Sequence, residues 1–226
     1  MIPTPPAIEI GGALEHLDRA PRTMDELAAA IAAEIPDGSY VNLGIGQPTK
    51  VADHLSPEAG VVLHTENGML GMGPAAHGDA VDPDLTNAGK APVTELPGAA
   101  YFHQADSFAM MRGGHLDICV LGAYQVSFAG DLANWHTGTP GAIPAVGGAM
   151  DLAIGAKCVY VLMSMFAKNG TPKLVPECTY PLTGKSCVNR IYTEFAVIEL
   201  GPAGARIIET YGISAQELGE RLLSSR

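Results

Sequence analysis

The chain has 226 residues, 47% of them hydrophobic and only 16% charged, with a formal net charge of −11. That length suits one α/β domain with a sizeable core, and the low charged fraction implies extensive burial, with room for some of it against a partner. The acidic balance argues against nucleic acid and against anionic membrane surfaces as partners, and no apolar run reaches membrane-spanning length.

Residues 1–22 read as a flexible N-terminal leader, because Pro3, Pro5, Pro6, Gly11, Gly12 and Pro21 interrupt any period. Residues 23–226 read as a single domain with no internal repeat or dividing linker. Met1 to Pro6 lacks the basic region of a signal peptide, so a reducing cytoplasm is the expected compartment. Thr23-Met24-Asp25-Glu26 is a capping box and should open a helix through about Ile35. Tyr40 to Leu43 is a short strand ending in Gly44-Ile45-Gly46, and Pro48 sits early in a short helix. Val61 to Leu63 is the next strand, followed by "HTENGMLGMGP" (64–74) and a loop over 75–92.

"QADSFAMMRGG" reads as a helix stopped at Gly113, and Leu116 to Leu121 as a buried strand. "GGAMDLAIGAK" is a helix, and Cys158 to Met163 a strand. "NRIYTEFAVIEL" and "ARIIETYG" are strand-like and antiparallel across a Gly-Pro turn, and a last helix is capped by Ser214. The alternation of strands and helices specifies an α/β fold: a mostly parallel sheet with helices on both faces and antiparallel C-terminal strands. The four cysteines (119, 158, 178, 187) have no C-x-x-C spacing, so no metal site is expected. Cys119 and Cys158 read as buried small hydrophobes.

Several motif matches fail. "TGKS" (183–186) has Thr179 where a phosphate-binding loop needs its first glycine. "GIGQPT" lacks the third glycine of a dinucleotide fingerprint, and "GMGPAA" carries an internal proline. Three segments remain: "VNLGIGQP" (41–48), "HTENGMLGMGP" (64–74) and "PAVGGAMDLAIGAK" (144–157). Strand-to-helix turns of a parallel sheet gather at its carboxyl edge, so all three can face one cleft. That cleft would hold one carboxylate, Glu66, and several bare backbone N–H groups. A carboxylate is a competent acyl nucleophile, and glycine N–H groups at a helix start stabilise an oxyanion. Glu66 has a second reading as a solvated turn acid.

Together these segments resemble the B subunit of family I coenzyme A transferases: "ENGMLGMGP" its glutamate motif, "NLGIGQP" its first glycine turn, "GGAMDL" its second. The resemblance runs from about Thr23 to Leu200. The stretches "HQADSFAMMRGGHLDICVLGA", "DLANWHTGTPGAIPAVGGAMDL" and "KLVPECTYPLTG" are closest to the family's 3-oxoadipate branch. Acetoacetate-type relatives, the alternative, usually differ after Trp135, where this chain has His136-Thr137-Gly138.

The resemblance implies that Glu66 attacks an acyl-CoA thioester and passes through a glutamyl-CoA thioester, with succinyl-CoA as donor and a 3-oxo acid as acceptor. It implies coenzyme A thioesters as substrates, with no permanently bound cofactor, and a separately encoded A subunit, in an A2B2 heterotetramer. Gly147 and Gly148 are then the oxyanion or carbonyl contact, or else an ordinary helix start. Gly44 and Gly46 either make a tight turn or admit ligand. Asn42 caps a strand or hydrogen-bonds near Glu66, and Asn67 belongs to the motif that binds substrate. Lys90 is a surface lysine or a neighbour of CoA. Arg112 and His136 are candidates for the distal carboxylate of 3-oxoadipate, or structural hydrogen-bonders. An acyl-CoA hydrolase of the same fold, a sugar-phosphate isomerase and a non-catalytic sensor are the competing readings. The absence of a lysine-rich phosphate loop weighs against the isomerase, and the intact glutamate motif against the sensor.

Overall fold

A computed structural model describes residues 7–87, 89–139, 141, 143–144 and 147–224. Strands β1 (Ala7–Glu9) and β2 (Leu14–His16) precede helix α1 (Met24–Glu34) and strand β3 (Tyr40–Leu43). A 3₁₀ segment over Gln47–His54 leads to β4 (Val62–Thr65), β5 (Met69–Ala75) and β6 (Val93–Tyr101). Then come α2 (Gln104–Arg112), β7 (Ile118–Leu121), β8 (Gln125–Ser127) and β9 (Leu132–Ala133). The chain ends through α3 (Ala149–Gly155), β10 (Cys158–Leu162), β11 (Leu174–Val175), β12 (Arg190–Tyr192), β13 (Ala196–Gly201), β14 (Gly204–Tyr211) and α4 (Ala215–Leu223).

The main sheet runs β1-β14-β13-β12-β10-β7-β3-β4-β5-β6, with β2 also on β14. Its centre, from β12 through β10, β7 and β3 to β4, is parallel throughout. Antiparallel strands extend it on both sides: β13 and β14 on one, β5 and β6 on the other. A second, three-stranded sheet runs β11-β8-β9.

Central strands are buried on both faces, so their sequences are continuously apolar. Alternate residues then serve opposite cores. In β7, Cys119 and Leu121 join Met111 of α2, Leu152 of α3 and Leu218 of α4, whereas Ile118 and Val120 join Leu27 and Ile31 of α1. Helices therefore cover both faces. α1 begins at the expected capping box: Thr23 accepts from the Glu26 amide, and the Glu26 side chain returns to the Thr23 backbone. Ser214 caps α4 by accepting from the Glu217 amide.

Four readings of the sequence need correction. The leader is not loose over its described part, because β1 and β2 pair in parallel with β14 and the Glu15 carboxylate accepts from the Ala215 amide at 2.8 Å. Pairing of this kind is a backbone ladder, which short strands form without an apolar period to announce them. Residues 1–6 lie outside the described residues, as do Ala145 and Val146 of the third glycine segment. After Gly68, "MLGMGP" is not a turn but lies in strand β5, laddered on both sides by β4 and β6. "NRIYTEFAVIEL" is two antiparallel strands, reversed at Thr193, whose amide and hydroxyl both donate to the Ala196 carbonyl at 2.9 Å. Cys119 is fully buried as expected, while Cys158 is only half-buried.

Candidate active site

The parallel strands β3, β4, β7 and β10 all end at one edge of the sheet. A cavity of about 600 Å³ opens there. Its wall takes Gly44 from after β3, Glu66 from after β4, Gly122 from after β7 and Met163 from after β10. This is the edge where ligands of open α/β sheets bind. The paired glycines before α3, Gly147 and Gly148, close another side, and the small sheet and its flanks contribute Asn134 and Lys173. The three glycine-bearing segments singled out in the sequence thus meet around one space.

Glu66 stands in a tight hairpin, not in a strand-to-helix turn. Thr65 of β4 pairs with Met69 of β5, leaving only Glu66, Asn67 and Gly68 between them. Gly68 donates to the Thr65 carbonyl at 3.1 Å and accepts from the Phe102 amide at 3.0 Å. Its φ is +116°, and a Cβ there would lie 2.2 Å from the Phe102 carbonyl oxygen. Only glycine lets the chain entering α2 pass so close to the turn.

The Gly148 amide donates to Glu66 Oε2 at 3.1 Å. Gly148 is the N-cap of α3, where amides lack partners within the helix. The carboxylate supplies the acceptor, and its charge strengthens the bond. A Cβ on Gly148 would fall 2.2 Å from Oε2, and one on Gly147 3.9 Å from Oε1. The glycine pair is what allows backbone to lie directly on the carboxylate.

Behind the turn lies a buried polar chain that sequence reasoning missed. Asn42 Nδ2 is 3.0 Å from His64 Nδ1 and donates to the His64 carbonyl at 3.1 Å. Ser107 Oγ is 2.9 Å from His64 Nε2 and donates to the Thr65 carbonyl at 3.1 Å. One assignment satisfies all four contacts. Nδ1 accepts from Asn42, Nε2–H donates to Ser107, and the serine proton goes to Thr65, a tautomer inferred from the bonding pattern. The imidazole is neutral, since burial pushes its pKa from 6.5 down to about 4. The chain joins β3, β4 and α2, and ends on the carbonyl immediately before Glu66. Asn42 therefore hydrogen-bonds to His64, two residues before Glu66, and lines the cavity wall together with Glu66. The signal in the sequence was a histidine two residues ahead of Glu66, adjoining an apolar run.

The other expected site residues divide. Gly44 lines the cavity and donates to the Val120 carbonyl at 2.8 Å. Gly46 turns the chain at φ +91° and lies off the wall, while its neighbours Ile45 and Gln47 are on it. Asn67 also lies off the wall; its Nδ2 donates to the Thr86 carbonyl at 2.9 Å, tying the loop around Thr86 to the Glu66 hairpin. That loop carries Lys90, exposed at φ +64° and outside the cavity wall.

Arg112 and His136 also stand off the wall of this cavity. The last turn of α2 sets Arg112 beside the first turn of α3, where Nε pairs with Asp151 at 2.6 Å and the guanidinium lies 5.4 Å from the Phe108 ring centre. His136 Nδ1 accepts from the Gly138 amide at 2.9 Å, and its ring packs on Trp135.

The structure thus sets a hairpin carboxylate under a helix-start amide at the carboxyl edge of this sheet. The Coenzyme A transferase family model matches residues 24–212, and the chain belongs to that family. It is 62% identical over 184 residues to the B subunit of the 3-oxoadipate CoA-transferase of Pseudomonas putida, covering 81% of this chain and 86% of the relative. It is 57% identical over 197 residues to the B subunit of the same name from Acinetobacter baylyi, covering 87% and 91%. The fold is that of an acyl-CoA transferase from Escherichia coli O157:H7, at a TM-score of 0.68 and 21% identity. That match takes in 93% of this chain but only 42% of the larger one, so the chain spans about two fifths of that protein's length.

Two outcomes follow from this geometry. In Gly148→Ala the new methyl meets the movable end of the Glu66 side chain, not backbone. Stability should fall by about 1 kcal/mol or less, while transfer falls by at least about 100-fold, because a 1 Å misplacement of a reacting group costs that much; thermal melting and steady-state assays with the A subunit read both. His64 tests the buried chain. Its folded pKa lies below the unfolded value, so between pH 6.5 and about 4 the unfolded chain binds more protons. Stability should be complete above pH 6.5 and fall by up to about 1.4 kcal/mol per pH unit below it. Melting curves of His64→Gln should be flatter than wild type between pH 6.5 and 5, and parallel curves would refute a neutral buried imidazole.

Proposed function

We propose that this chain is the B-type half of a coenzyme A transferase that moves CoA from succinyl-CoA to 3-oxoadipate. The observation that carries the reading is the Glu66 carboxylate, held on the cavity wall by the Gly148 amide at 3.1 Å. The names of the two B-subunit relatives support the choice of acceptor. They also imply a separately encoded A subunit, and we take the assembly to be A2B2. The setting is the cytoplasm and the breakdown of aromatic compounds by way of 3-oxoadipate. No helix among the described residues is long and apolar enough to cross a membrane.

The reaction is an exchange of one thioester for another. A Glu66 oxygen attacks the succinyl thioester carbonyl, and the C–S bond breaks to give a mixed anhydride and CoA thiolate. The thiolate attacks the glutamyl carbonyl, releasing succinate and leaving a Glu66–CoA thioester. The 3-oxoadipate carboxylate attacks that thioester, and the same steps run in reverse to give 3-oxoadipyl-CoA and free Glu66. Charge and atoms balance without ATP, permanently bound cofactor or metal, and the kinetics are ping-pong.

In this account the Gly148 amide and the adjacent Gly147 face the oxygen that gains charge when the glutamyl carbonyl is attacked. Donors fixed in advance at that position are worth about 10²–10³ in rate. Gly44 keeps that end of the cavity open to substrate. Asn42 holds the nucleophile's turn through His64, and Asn67 holds the Lys90 loop beside it. Lys90 supplies a local cation for CoA on an acidic protein.

Incubating the reconstituted two-subunit enzyme with succinyl-CoA, followed by digestion and mass spectrometry, should show a CoA adduct on the peptide carrying Glu66. Glu66→Gln should assemble normally, carry no adduct and lose transfer by at least about 10⁴-fold. Near-normal turnover by that variant would overturn the assignment.

A further inference from the structure

Lys173 stands just ahead of β11, and the backbone fixes its place: its amide donates to the Met165 carbonyl at 2.9 Å, and its carbonyl accepts from the Val126 amide at 2.9 Å. It lines the same cavity as Glu66, and these two are the only acidic or basic side chains on that wall among the described residues. Lys173 is half-buried. Among the described residues its ammonium has no hydrogen-bond or ion-pair partner. Burial holds its pKa below the ordinary lysine value, and attraction from Glu194 opposes this only in part. That carboxylate accepts from the Met165 amide at 2.9 Å. Several cations elsewhere are committed: Arg112 to Asp151, Lys157 to Asp117, Arg190 to Glu34 and Glu199.

A half-buried cation without a partner is costly unless an anion arrives to meet it. We propose that Lys173 binds the distal carboxylate of the acyl group, in both the CoA donor and the CoA acceptor, and so selects dicarboxylic acyl chains over monocarboxylic ones. The inference rests on the CoA-transfer reading of Glu66 and adds the recognition element that reading lacks.

Both members of the proposed substrate pair end in a carboxylate. In the succinyl group that carboxylate is three bonds from the reacting carbonyl, and in the 3-oxoadipyl group five. The two differ in reach by roughly 2.5 Å of extended chain. A lysine suits this. Its ammonium is a compact charge on a flexible four-carbon stem, able to meet either length, whereas the rigid fork of an arginine fixes one geometry. Acetoacetate brings a methyl group instead and leaves the ammonium unpaired. Sites built around a polar partner reject analogues that lack it far more strongly than they reject a changed hydrocarbon.

The test compares 3-oxoadipate with 3-oxohexanoate, which has the same chain length and a methyl in place of the distal carboxylate. In a ping-pong reaction kcat/KM for the acceptor reports only the second half-reaction. Lys173→Met in the two-subunit enzyme should lower kcat/KM for 3-oxoadipate by roughly 10–100-fold and leave 3-oxohexanoate within about twofold. Lys173→Arg should restore part of the difference. Equal losses for both acceptors, or no loss for either, would overturn the inference.

A measurement on the unmodified complex covers the case in which the variants fail to fold. Reductive methylation read by mass spectrometry should modify Lys173, and succinate should protect it while butyrate does not. An unreactive Lys173, or equal labelling with and without succinate, would overturn the inference. Absence of a Glu66 adduct with no transfer to either acceptor would instead remove the CoA-transfer reading itself.

Discussion

The site rests on one close approach, the Gly148 amide set 3.1 Å from the Glu66 carboxylate. The two residues are 82 positions apart in the chain. Each arrives by a separate device. The hairpin between β4 and β5 is pinned from outside by Phe102 through Gly68, and from beneath by the Asn42, His64 and Ser107 chain. The start of α3 reaches the carboxylate because neither glycine before it carries a side chain to intervene. A methyl at position 148 would occupy the space the carboxylate now fills. The approach of backbone to carboxylate is therefore set by the absence of atoms as much as by their placement.

Two kinds of buried polar group surround that contact, and they do opposite things. His64 is neutral, and both of its ring nitrogens and its carbonyl are engaged within the protein. A chain satisfied in this way rigidifies what it touches, here the residue before Glu66. Lys173 is the reverse, charged and left without a partner on the cavity wall among the described residues. The first kind of group builds the frame, while the second marks where a ligand must complete the electrostatics. Under the proposed reading, Glu66 is the reacting group on this wall and Lys173 the recognition group. An acyl chain with a carboxylate at each terminus matches that polarity.

Much of this was legible in the sequence. The caps at Thr23 and Ser214 placed α1 and α4, because a helix start has a local chemical signature. Continuous apolar runs marked β7 and β10 as strands, and the fold sets both at the centre of the sheet. The glutamate motif and the paired glycines pointed to Glu66 and Gly148 through their family resemblance, and the fold brings the two into contact. What the sequence hid were contacts made by backbone or across long separations. The strands at Ala7–Glu9 and Leu14–His16 are held by ladder bonds to β14, with no apolar period of their own. The glycine-rich run after Glu66 looked like a turn, yet its backbone pairs on both sides as β5. The pairing of Arg112 with Asp151 comes from the packing of α2 on α3, which no local pattern announces. Lys173 had no distinguishing neighbours in the chain, and only the fold shows that it shares a cavity with Glu66.

The most direct test of the central contact is a crystal structure of the two-subunit complex trapped with succinyl-CoA. The account predicts a thioester between the Glu66 carbonyl carbon and the CoA sulfur, with the glutamyl carbonyl oxygen about 3 Å from the Gly148 nitrogen. A thioester on any other residue, or a Glu66 carbonyl turned away from Gly148 beyond hydrogen-bonding distance, would contradict it.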